Sequence, residues 1–112
     1  MGKTNIRKNW DHDVITLATA SKVYHITNLC GGESVTIKAL VGNSGKVYIG
    51  EDSLLTTSNG YELDAGETLT LSLPIEFGRD NCISIYGTAA ADGDKICYVK
   101  LIDLYPRTSS GG

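Results

Sequence analysis

Asp11-His12-Asp13 is the first place where side chains of this sequence could do chemistry, because a histidine between two carboxylates is a set of metal-ligand types. Three consecutive residues of a strand point to alternate faces, however, so they converge only if the chain turns there. His25, between Tyr24 and Ile26, reads as a strand histidine rather than a base. Cys30-Gly31-Gly32 offers a thiol, but a nucleophilic cysteine needs a base held against it and a lowered pKa. A Gly-Gly turn after a strand is the simpler reading. Asp92-Gly93-Asp94 holds a fragment of a calcium loop without the rest of the EF-hand pattern, and reads as a hairpin tip. The remaining acidic residues, such as Glu33, Asp52, Glu62, Asp64 and Glu67, border turns, where charge is usually just solvated. No nucleophile elbow, phosphate loop or zincin helix pattern occurs. The expectation is a protein that is not an enzyme and that uses no cofactor and no metal.

The elements that would position these groups are strands. Val35, Ile37, Ala39 and Val41 alternate along 34–41, and Leu69, Leu71 and Leu73 alternate along 68–73. A period of two marks strands with one buried and one wet face. Further strands are expected over 13–20, 23–28 and 47–49, around Ile83 and Ile85, and over 95–105. In the last, Cys97, Val99 and Leu101 share one side and Tyr98 and Lys100 the other. Both sides turn apolar near its end at Leu101, Ile102 and Leu104, which predicts cover on both faces. No stretch keeps helical periodicity, so the only helical expectation is a single turn near Glu76 to Asp80. Between the runs stand Gly42-Asn43-Ser44-Gly45, Asn59-Gly60, Asp64-Ala65-Gly66 and Asp92-Gly93, residues that accept tight turns. About eight short strands with such turns predict an all-β fold: one antiparallel β-sandwich, jelly-roll-like. The expected domain is 12–106, with a loose basic arm over 1–11 and a tail over 107–112.

A chain of 112 residues supports one domain with a modest core. A net charge of −3 gives no basic field to draw nucleic acid, and no apolar run reaches the ~20 residues that cross a bilayer. Three cysteines, an odd count, and no secretory leader pattern argue against a disulfide scaffold and for a cytoplasmic product. Cys82 and Cys97 then read as small core hydrophobes.

One segment has a recognisable form. Gly45-Lys46-Val47-Tyr48-Ile49-Gly50, followed by Thr56 to Leu71 with Asn59-Gly60-Tyr61-Glu62-Leu63-Asp64-Ala65-Gly66-Glu67, resembles small virion proteins of tailed bacteriophages. These carry the pattern VYIG … T-x-x-NGxxLxxGExLxL, then strands like Ile83-Ser84-Ile85-Tyr86-Gly87 and Tyr98-Val99-Lys100-Leu101. The likeness covers about residues 45 to 105. It implies a structural protein of the virion, assembled in the host cytoplasm. Within that class it points to a capsid decoration or cement protein docked on the major capsid protein or other virion proteins, and forming a homo-oligomer, with a trimer as one form. A neck or tail component is the neighbouring reading, and a carbohydrate-binding sandwich for host adsorption comes from a different class. The residues expected to meet partners are Lys3, Arg7, Lys8 and Trp10 on the arm, and Tyr48, Tyr61 and Leu63 around the turns. The carbohydrate reading instead expects solvent-facing rings, with Trp10, Tyr48, Tyr61, Tyr86 and Tyr98 as candidates.

Overall fold

The computed structural model describes residues 10–101. Eight strands run in chain order: β1 (Trp10–Leu17), β2 (Tyr24–Cys30), β3 (Ser34–Ala39), β4 (Val47–Gly50), β5 (Tyr61–Leu63), β6 (Thr68–Ser72), β7 (Cys82–Ala89) and β8 (Asp94–Leu101). They form two four-stranded sheets, ordered β1-β8-β3-β6 and β2-β7-β4-β5, and every strand pair is antiparallel. Apart from β4 and β5, consecutive strands lie in opposite sheets. This is the jelly-roll form of the sandwich expected from the sequence. The expected helical turn is present as one 3-10 turn, Ile75–Phe77.

The alternation explains the core. Val35, Ile37 and Ala39 of β3 and Ile96 of β8 are buried against Leu17, Leu29, Val47, Leu63 and Ile85. Val41, placed on the same face by its spacing, lies past the end of β3 and is 75% exposed. The last strand is oriented the other way from its apolar appearance. Ile96 and Tyr98 face inward, whereas Cys97 and Val99 are only half-buried and Leu101 is exposed. The expected cover on both faces is therefore missing at Leu101; Ile102 and Leu104 lie outside the described residues.

Three boundaries change. Trp10 and Asp11, placed on a loose arm, pair with Leu101 and Lys100 as the start of β1. Tyr61–Leu63 is a strand, because three residues between two turns suffice once β4 offers an edge. Asp92-Gly93-Asp94 is not a hairpin tip. It carries the chain from β7 in one sheet to β8 in the other, with Gly93 at φ 82° and its N–H donating to Leu17 O at 2.8 Å. The expected tail over 107–112 lies outside the described residues.

The cysteines also depart from expectation. Cys30 and Cys82 are opposite each other on β2 and β7 and form a disulfide, and Cys82 is exposed rather than a core residue. Cys97 is a free, half-buried thiol. An odd cysteine count argues against a scaffold in which every thiol is paired; it does not bear on a single bond set by strand register.

Candidate functional site

Loops at one end of the sandwich are tied down by side chains. Asp94, at the start of β8 and buried, accepts hydrogen bonds from Ser44 N at 2.9 Å, Ser44 Oγ at 3.2 Å and Gly45 N at 3.0 Å. Asn43 donates to Lys95 O and accepts from Lys95 N. Asp92 Oδ1 accepts from Ala20 N. These carboxylates hold backbone N–H groups of neighbouring loops.

At the other end, the ten residues between β4 and β5 fold back on themselves. Asn59 Oδ1 accepts from Thr56 N, and Thr56 Oγ1 accepts from the backbone N–H groups of Ser58 and Asn59. Asn59-Gly60 is thus the lock of a long loop, not a two-residue hairpin turn. Gly60 is needed because a Cβ there would stand 2.7 Å from Tyr48 Cβ. The loop sits on Tyr48 and buries Leu55.

This geometry sorts the residues expected to meet partners. Tyr48 is 8% exposed and covered by its own chain, and Leu63 is 2% exposed and part of the core, so neither is presented to a partner. Tyr61 is 59% exposed. Trp10 is exposed on the outer face of the β1-β8-β3-β6 sheet, its ring stacked on His12 at 4.8 Å. Lys3, Arg7 and Lys8 lie outside the described residues. Of the other candidate rings, Tyr98 is buried and Tyr86 is half-buried with an edge contact to His25.

Tyr61 stands at an apolar cleft of about 460 Å³ where the two sheets part along their β5 and β6 edges. Ile49 and Tyr61 line one wall, Leu69 and Leu71 of β6 the opposite wall, and Ile83 and Ile85 of β7 the floor, with Glu51 at the rim. Each of these apolar residues is on the inner face of its strand, so alternation alone gave them to the core. β5 is only three residues long, and the sandwich is left unclosed along that edge. No local pattern signals this, because a gap between sheets depends on strand lengths in two sheets at once. The cleft can take an apolar ligand or side chain; its volume lies within the usual range for small-molecule pockets.

Other groups do not converge. Asp11 and His12 point to opposite faces, with Asp11 Oδ2 accepting from Tyr98 OH at 3.2 Å and His12 outward on Trp10. His25 Nε2 bonds Asn28 Oδ1 at 2.9 Å. Cys30 is held in the disulfide, which removes it as a nucleophile. Lys46 lies 3.3 Å from both Glu62 and Asp64 and is raised above its usual pKa, first by the Glu62 hydrogen bond and then by Asp64. That trio is exposed, and solvent screens it. Among the described residues no group of three or more His, Cys, Asp or Glu side chains is placed to hold a metal ion.

No protein-family model matches the chain, and no curated protein matches it. Two solved structures are similar in fold. One is a de novo designed double-stranded beta-helix solved by solution NMR, with 13% identity, 84% of this chain and 97% of that chain covered, and a TM-score of 0.48. The other is IMPa from Pseudomonas aeruginosa in complex with an O-glycopeptide, with 12% identity, 82% of this chain covered and a TM-score of 0.51. The chain spans only 12% of the length of IMPa, and the likeness is one of fold.

Proposed function

We propose that this protein is a non-enzymatic structural component of a tailed-bacteriophage virion, and within that class a decoration or cement protein on the capsid shell. The observation that carries the reading is Tyr61, exposed at the mouth of an apolar cleft on a scaffold with loops at both ends tied down by side chains. A docking module needs an anchor ring, a pocket that accepts a partner's apolar side chain, and little loop entropy to lose. Tyr61 and the cleft supply the first two, and the Asp94 and Asn59 networks supply the third. Repetition over many equivalent sites lets modest affinity per copy reinforce a shell. The VYIG and NGxxLxxGExLxL segments, which resemble phage virion proteins, contribute β4, β5 and β6, three of the four strands that border the cleft. The Cys30–Cys82 bond suits a particle that persists outside the reducing cell.

The test is quantitative mass spectrometry of purified particles from the source, read as copies of this protein per major shell protein. A ratio near one, or a simple fraction such as about one third, supports shell decoration. A few to a few dozen copies per particle moves the protein to the neck or tail, and absence from the particle overturns the virion reading.

A carbohydrate-binding role is favoured by one observation, the exposed Trp10 ring flat against His12 on an open sheet face. Sugar C–H faces stack on such rings. Glycan-array binding that Trp10→Ala abolishes would establish that role.

A further inference from the structure

The outer face of the β1-β8-β3-β6 sheet is almost free of charge. Strand register places its side chains in three rows of four: Trp10, Leu101, Ser34, Ser72; His12, Val99, Thr36, Thr70; and Val14, Cys97, Lys38, Thr68. Among these twelve positions the one Asp, Glu, Lys or Arg is Lys38, in a chain with 21% of such residues. Trp10, Val14 and Leu101 are each more than half exposed. Depletion of charge around exposed aromatic and aliphatic residues is the compositional mark of an interface core. The second charge on the face, Lys95, lies beyond the third row, level with Thr16 at one end.

We infer that this face is a homodimer interface, covered by the same face of a second copy of the chain across a two-fold axis. Self-complementarity selects this occupant. The bulky apolar residues lie on β1 and β8, and the small hydroxyl residues on β3 and β6. A two-fold axis running along the strands through the middle of the sheet sets β1 on the partner's β6 and β8 on the partner's β3. Trp10 then meets Ser72, Val99 meets Thr36, and Lys38 faces Cys97 of the second copy rather than another lysine. Large residues fall on small ones, as two packed sheets require. Area fits a weak contact. Strands of eight, eight, six and five residues, about 4.8 Å apart, cover about 440 Å² per copy, or about 900 Å² for the pair, at the low end reserved for transient interfaces. Such a dimer is weak and reversible. An isologous contact closes at two copies, so the trimer suggested by the sequence needs a different surface. This inference does not rest on the virion reading, which concerns the cleft on the β5–β6 edge.

The experiment is sedimentation equilibrium of the full 112-residue chain from micromolar to millimolar concentration, with Cys97 maleimide labelling followed over the same range. The expected result is a monomer–dimer equilibrium, with labelling that slows as dimer accumulates. Val99→Asp at the centre of the face and Leu101→Asp at its exposed end each weaken association at least tenfold, and Ser58→Asp, on the loop over the other sheet, leaves it unchanged. Circular dichroism melting separates misfolding from lost association, and Leu101→Asp decides the matter if Val99→Asp fails to fold. A monomer at all concentrations overturns the inference, and so does a dimer indifferent to Leu101→Asp. Open-ended assembly overturns it too, as does a Trp10 fluorescence change on adding glycans without self-association.

Discussion

Cys30 and Cys82, 52 residues apart in sequence, occupy opposed positions on β2 and β7 and are joined by a disulfide. The bond fastens the β2–β3 turn to the segment between β6 and β7, where Gly31 N donates to Gly78 O at 3.1 Å and Gly32 N donates to Leu73 O at 2.9 Å. Closing a loop of that length restricts the unfolded chain most, so the bond stabilises the fold without touching the cleft.

Reduction is therefore expected to cost about 2–4 kcal/mol and to lower Tm by roughly 10–20 °C. Calorimetry with and without a phosphine reductant measures it, and the Cys30→Ser/Cys82→Ser variant should match the reduced protein. An unchanged Tm after complete reduction would rule the bond out as a stabilising element.

Asp94→Ala is expected to destabilise by about 1–3 kcal/mol, because it removes a buried charged acceptor from the part-buried hydrogen bonds of Ser44 N and Gly45 N. Urea unfolding gives the number. Asp94→Asn should lose less, since its amide oxygen still accepts and its volume is unchanged; equal losses would mean that the charge of the carboxylate, which both variants remove, carries the effect.

Tyr61 and Leu63 lie on the same face of β5 two residues apart, yet opposite results are expected. Leu63→Ala removes a core side chain and costs about 2–5 kcal/mol. Tyr61→Ser stays within about 0.5 kcal/mol of the parent but lowers the number of copies retained on particles. Retention of Tyr61→Ser at parental copy number would remove the cleft from the docking surface.

Alkaline pH should expose the burial of Tyr98. Burial pushes its pKa above the ordinary value near 10, a hydrogen bond with Thr27 pulls it down, and Asp11 and Asp13 nearby push it up again. The folded-state value lies above the unfolded one. The stability contributed by the neutral phenol is thus complete below pH ~10 and is lost as pH rises through the folded value. Tyrosinate absorbance during alkaline titration, compared with Tyr98→Phe, follows this. A variant whose stability falls just as steeply above pH ~10 would assign the loss to other groups.

The strands were legible because their cause is local. Alternation at Val35, Ile37 and Ala39 and at Leu69 and Leu71 follows from the two-residue repeat of extended backbone, and Gly66 and Gly93 mark turns with positive φ. From these alone come the all-β class, the strand number near eight and the scarcity of helix. Sequence alternation could not tell which face of 94–101 is inward, because Cys97, Val99 and Leu101 are as apolar as Ile96 and Tyr98.

Pairing between distant segments, by contrast, has no local cause. Asp92-Gly93 makes the same local bend whether the chain returns along its own sheet or crosses to the other, and the choice rests on Leu17 O waiting to accept Gly93 N. The same applies to Cys30 meeting Cys82, to Tyr48 lying under the loop that Asn59 locks, and to the open β5–β6 edge that leaves Tyr61 exposed. Each depends on the register of strands far apart in sequence, set by mutual burial of their inner faces, and no local pattern encodes which strand will be the neighbour.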